Sequence, residues 1–267
     1  MIPPTPVAPG FTTGGQLPAG ESPGQLGALI RRAWTATAAA GTAILTVHTT
    51  SRFVGTDQSV QSLAYTGTGP AVLPRAAADL RYRDAGNVRW HWLLIGDALY
   101  AAAPATGPAT ARVRWTRTDL GHPAPQPDSD STPPNPVALL RDLSRSLTGV
   151  SPTGSAVIDG TPVTRYDATA ELAAGAAAAP AGGARLAVAR LERDIRSGHL
   201  YVQEWIDGSG RIRQLRYTDQ VIPPKAPPAA GTDPITLLSI TTSTTFTLTR
   251  FGTPAMITAP PTSTPVG

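Results

Sequence analysis

The chain has no cysteine, a single lysine (Lys225) and two methionines among its 267 residues. Without cysteine there are no disulfides, no thiolate metal sites and no cysteine nucleophile. No run of about eighteen apolar residues occurs, so no segment reads as a membrane-spanning helix. The start, Met1-Ile2-Pro3-Pro4-Thr5-Pro6, has neither the basic nor the apolar region of a signal peptide.

Clustered catalytic motifs are missing too. His48, His91, His122 and His199 are too dispersed for a metal-ligand spacing. Gly208-Ser209-Gly210 lacks the Gly-x-Ser-x-Gly elbow and reads as a turn. Asp128 and Asp130 lie in a Ser/Pro-rich loop without the glycine and closing glutamate of a calcium loop. Gly14-Gly15 and Gly182-Gly183 follow no strand, as a phosphate cradle requires. The expectation is a non-enzymatic protein with no metal and no cofactor.

The formal charge of +4 is almost entirely arginine. Those arginines are scattered and accompany no nucleic-acid-binding motif, so nucleic acid is not an expected partner. Attraction to anionic lipid head groups is the milder reading.

What is abundant is proline (28) and glycine (26), which punctuate short periodic segments. Residues 1–21 lack hydrophobic period and read as a flexible tether, 22–258 as a single domain, and 259–267 as a disordered tail. Ser22 and Pro23 open a helix whose stripe is Leu26, Leu29, Ile30, Ala33 and Trp34, stopped by Gly41. From Ala43 the period becomes two, and strands follow near 43–49, 58–67, 76–84, 87–95 and 98–103. Val88, Trp90, Trp92 and Leu94 share one strand face, and the paired tryptophans suit either a core or the wall of an apolar pocket.

Residues 104–134 read as loop with a short strand at Ala111–Trp115. Asn135 and Pro136 then open a second helix, with Leu139, Leu140, Leu143 and Leu147 on one face and Gly149 as its stop. Asp159-Gly160 signals a hairpin into a strand through Val163–Thr169. A mobile Ala/Gly loop over 173–183 and a charged amphipathic helix over 184–197 follow. Strands at Leu200–Ile206 and Arg211–Thr218, a Pro-rich connection at 222–234, a Thr-rich strand near 238–250 and a short strand at Ala255–Ile257 complete the chain.

The order of these motifs resembles the actinobacterial LppX/LprG lipoproteins, relatives of the LolA-like half-barrel proteins. The residues carrying it are Gly41–Val47, Ile95–Tyr100, Asn135–Leu140, Ile158–Tyr166, Val202–Asp207 with Gly210–Arg213, and Phe251–Ala255. The resemblance implies an α+β fold: a large curved antiparallel sheet with about three helices over its concave face and a lipid-sized cavity between. It also implies a cell-envelope, extracytoplasmic location and an amino-terminal lipidated cysteine behind a signal peptide, neither of which this sequence carries.

The function so implied is binding or transport of a lipid or acylated glycolipid by a monomer that touches the membrane surface. An envelope sensor or protein-interaction module on the same half-barrel is the alternative. The apolar wall is expected from Leu45, Val47, Leu80, Tyr82, Trp90, Trp92, Leu140, Leu143 and Leu147. Opposite strand parity would turn the other side chains inward.

Overall fold

The computed structural model describes residues 23–84, 89–102, 114–121, 134–179, 182–194, 199–221 and 237–265. At its centre lies β1 (Thr42–Gly55), in which Ala43, Leu45, Val47 and Thr49 are buried and the residues between them are not. This is the alternation that a sheet with one covered face requires.

On one side of β1 runs an antiparallel meander of β2 (Val60–Val72), β3 (Ala77–Asp84), β4 (Arg89–Ile95), β5 (Ala98–Ala102) and β6 (Trp115–Asp119). On the other side lie β11 (Leu237–Thr249), β10 (Ile212–Val221), β9 (His199–Asp207), β8 (Thr161–Glu171) and β7 (Leu147–Ile158), again antiparallel throughout. The two-residue β12 (Thr264–Pro265) adds in parallel to β6. The result is one twelve-stranded sheet with β12 and β7 at its edges, unpaired with each other, so the sheet is open.

Among the described residues four α-helices accompany the sheet: α1 (Pro23–Ala39), α2 (Pro136–Arg145), α3 (Leu172–Ala178) and α4 (Gly183–Asp194). The connection containing α2 carries the chain from β6, near one edge of the sheet, to β7 at the other. Its start is fixed by Asn135. The Oδ1 atom accepts from the backbone N–H groups of Val137 and Ala138, while Nδ2 donates to the carbonyls of Ala76 (2.7 Å) and Gly96 (3.0 Å) at the β3 and β4 ends. The α3–α4 pair returns the other way, from β8 to the β4–β5 turn, where the Asp97 carboxylate accepts from the Gly183 N–H (3.0 Å). The first connection therefore joins opposite sides of the open sheet, and the second reaches across it as far as the β4–β5 turn.

Several expectations are corrected. The second helix ends at Arg145 rather than at Gly149, because the Ser146 N–H meets the carbonyls of Asp142 and Leu143 and its hydroxyl also donates to Leu143. Leu147 is thus the first residue of β7 rather than part of a helical stripe, and Gly149, at φ +59°, sits at a bulge in that strand. The stretch 173–183, read as a mobile loop, contains α3. Alanine is the best helix former, and Leu172 and Gly175 bury there. No strand forms at Ala255–Ile257; within the stretch read as a disordered tail, Thr264–Pro265 pair with β6 instead. The 1–21 tether and most of Ala111–Trp115 lie outside the described residues.

Candidate ligand site on the helix-covered face

The ladder registers determine which side chains share the covered face. Val47 stands opposite Phe246 on β11 and Gly67 on β2; Phe246 opposite Leu215, Leu215 opposite Glu204, and Glu204 opposite Tyr166. On the other flank Gly67 faces Tyr82, and Tyr82 faces Trp90. One row nearer the β9–β10 turn, Leu45, Gly69 and Leu248 share a level, and Leu80 pairs with Trp92. Parity is thereby resolved: the face of Leu45, Val47, Leu80, Tyr82, Trp90 and Trp92 is the one turned toward the helices.

These six join Leu140 and Leu143 of α2 and Leu147 of β7 in one apolar cluster. Their burial is uneven. Leu45, Leu80, Leu140 and Leu143 have no exposed surface, whereas Trp90 and Trp92 are only half-buried. The tryptophans belong to an aromatic group in which the Tyr82 ring lies 4.2 Å from Trp92 and 6.0 Å from Tyr65. Tyr82 lies flat across β2 because position 67 is glycine; a Cβ there would meet the ring at 2.4 Å. Burial pushes the Tyr82 phenol well above the ordinary range, so it stays neutral.

Beyond the helices this face continues toward the strand ends opposite the β9–β10 turn. Leu63 pairs with Ser51, and Phe53 with Ile240. Phe53 and Ile240 are half-buried, and Leu63 is 62% exposed. With Tyr65 and the tryptophans they form an accessible apolar strip that runs into the sealed interior.

Polar groups interrupt the interior at two levels. Thr49 and Thr244 hydroxyls meet at 3.3 Å, and Ser51 and Thr242 at 3.2 Å one row out. Tyr217, buried beside Thr244, has its phenol raised by desolvation, with the Thr244 hydroxyl opposing. Deeper lies Glu204, which is fully buried and between Tyr166 and Leu215 in register. Neither carboxyl oxygen meets a hydrogen-bond partner among the described residues, nor does the Ser144 hydroxyl of α2 beside it. Burial pushes the Glu204 carboxyl up to about 8, and the nearby serine opposes this without closing a well-formed hydrogen bond.

Sequence reasoning passed over Glu204 and Ser144. Glu204 was visible as an acidic residue on the same strand parity as Val202 and Ile206, and Ser144 as a small polar residue four after Leu140 in the second helix. Two histidines stand beside carboxylates, His91 by Asp79 at 2.6 Å and His199 by Glu171 at 3.0 Å, both on the uncovered face, and the His91 ring also meets Trp115 edge-on with centroids 4.9 Å apart. His48 meets Thr66 at 2.9 Å, and His122 lies outside the described residues. Among the described residues no three His, Asp or Glu side chains are placed to hold a metal ion.

No family model and no curated protein matches the chain. Among solved structures it is similar to the lipoprotein LppX of Mycobacterium tuberculosis, at 15% identity over 89% of this chain and 100% of that one, with a TM-score of 0.46. It is similar also to LprF of Mycobacterium bovis (12% identity, 89% and 97% covered, TM-score 0.41). A third is a LolA superfamily protein of Nitrosomonas europaea (9% identity, 84% and 93% covered, TM-score 0.29). The solved structures similar to this chain thus include members of the group its motif order resembles. At such identities, what bears on function is the chain's own sheet, helices and buried side chains.

Proposed function

We propose that the protein is a non-enzymatic carrier that holds the apolar chain of a lipid between sheet and helices. The observation behind this reading is an apolar path: the covered face leads from the sealed cluster of Leu45, Leu80, Leu140 and Leu143 to the half-buried tryptophans packed against it, with exposed Leu63 further out on the same face, level with the Ser51–Thr242 hydroxyl pair. An acyl chain laid on such a face gains about 0.8 kcal/mol for each methylene removed from water, so a long chain needs apolar area rather than specific chemistry. With four leucines already sealed, a ligand gains the deep part of the face by parting helix from sheet. The scattered arginines suit contact with an anionic membrane surface and with the head group of an acylated glycolipid.

The test is native mass spectrometry with organic extraction of the purified protein, together with uptake of a fluorescent fatty acid. Stoichiometric acyl species support the carrier, and Trp92→Glu, at a half-buried position, abolishes uptake while the variant stays folded. No bound acyl species and no uptake favour a second reading, a protein-interaction module, for which the exposed Val60, Leu63 and Leu238 supply the apolar surface.

A further inference from the structure

Glu204 is out of place in the interior. It stands in the middle of β9 with Val202 and Ile206 as same-face neighbours, between Tyr166 and Leu215 on the flanking strands. A carboxyl that is 0% exposed and, beyond the nearby Ser144, meets no polar partner among the described residues costs about 1–3 kcal/mol or more relative to an apolar residue. Such a group survives where something other than stability requires it. The same holds for Ser144, which also has no exposed surface and no hydrogen-bond partner among the described residues. The two orphaned groups are neighbours across the interface of α2 with the sheet, within the apolar cluster that includes Leu140 and Leu143.

We propose that Glu204 and Ser144 are a hydrogen-bonding anchor for the oxygen of an acyl ligand's polar linkage, so that the protein selects ester-bearing lipids over plain hydrocarbon. This rests on the carrier reading above and adds the chemical class of ligand. Burial favours the neutral carboxyl, whose O–H is one donor; the serine hydroxyl is another. A ligand lying between helix and sheet separates the two. Its ester carbonyl, with two lone pairs, then accepts from both and satisfies groups that no described residue pairs. Hydrocarbon occupying the same space leaves them orphaned. Discrimination by buried polar groups of this kind exceeds what shape alone achieves, because the wrong ligand leaves them unpaired.

The experiment is displacement of 1-pyrenyldodecane, an oxygen-free fluorescent probe, by methyl palmitate and by hexadecane, both delivered from cyclodextrin, in wild type, Glu204→Gln, Glu204→Leu and Ser144→Ala. Wild type is expected to take the ester about tenfold more tightly than the hydrocarbon, the equivalent of one net hydrogen bond. Glu204→Gln, whose amide still donates, keeps most of that preference. Glu204→Leu brings the ratio to within about twofold of unity while hexadecane still binds, and Ser144→Ala falls between. An unchanged ester preference in Glu204→Leu, or none in wild type, overturns the anchor while leaving the carrier standing. Failure of wild type to take up the pyrene probe at all overturns the carrier reading and the anchor with it.

Discussion

The two ends of the long central strands are built oppositely. At the β9–β10 end, a buried carboxylate is ringed by donors, although Arg213 Nε meets no partner among the described residues. The Asp207 carboxylate accepts from the N–H groups of Ser209 and Arg211 and from the Arg211 side chain, and stands 3.8 Å from Arg213. Both guanidinium groups lie over the Phe251 ring, at 4.8 and 5.1 Å. The Thr37 hydroxyl locks α1 to this end by accepting from the Ile212 N–H at 2.8 Å. At the opposite tip, Val60, Leu63 and Leu238 face water with half or more of their surface. A fold meant only to be stable would seal both ends. Here one end supplies rigidity and the other leaves apolar surface open, which the carrier reading takes as the ligand's point of access.

The largest effect is expected at the sealed end. Asp207→Ala leaves Arg213, 6% exposed, as a buried cation without its carboxylate, and frees the turn donors as well. A loss of about 3–5 kcal/mol is expected, read as a lowered midpoint in denaturant. A loss below about 1 kcal/mol would mean that this end does not anchor the sheet, and the contrast between the ends would dissolve.

Next comes the buried carboxyl. In the unfolded chain Glu204 titrates near 4.5, and in the fold near 8. Between those values the folded state keeps a proton that the unfolded state releases. Stability is therefore full below about pH 4.5 and declines by up to roughly 1.4 kcal/mol per pH unit until about pH 8, then levels. Glu204→Gln should remove this slope. Denaturant midpoints collected from pH 5 to pH 8 in both proteins decide it, and parallel profiles would show that Glu204 ionises without penalty.

How much of this was legible in the sequence follows from where the physics is local. Alternation in Ala43–Thr49 and Ala78–Tyr82 and the Asn135-Pro136 helix start are written within a few residues, and the structure keeps them. The covered-face parity of Trp90 and Trp92 became definite only through the Leu80–Trp92 and Tyr82–Trp90 pairings. Leu147 was misplaced because helical and strand periods both put it inward, and what ended the helix was the capping geometry of Ser146, which has no strong sequence sign. Glu204 was passed over although it shares the parity of Val202 and Ile206, since a lone acidic residue in a strand ordinarily faces water.

A smaller effect belongs to Asn135, whose one side chain caps α2 and ties it to Ala76 and Gly96. Asn135→Ala should cost about 1–2 kcal/mol. It should also raise hydrogen exchange in α2 more than in β1, because it loosens a helix end while leaving the ladder intact. Equal exchange in both elements would mean that helix and sheet open as one unit, which contradicts a helix that parts from the sheet to admit a chain.

The smallest change in stability is expected at the tip, and it carries the most information about function. Leu63 is 62% exposed and lies opposite Ser51 at the outer limit of the covered face. Leu63→Ser removes little buried area, so unfolding should shift by less than about 0.5 kcal/mol. If the exposed strip is where an acyl chain first lands, the same substitution should slow uptake of a fluorescent fatty acid several-fold in stopped flow, with the amplitude at saturation unchanged, because the deep face of Leu45 and Leu80 is untouched. Uptake at the wild-type rate would move the point of access elsewhere along the open sheet. The tip would then be free to serve the protein-interaction reading, in which its apolar side chains meet a partner and not a lipid.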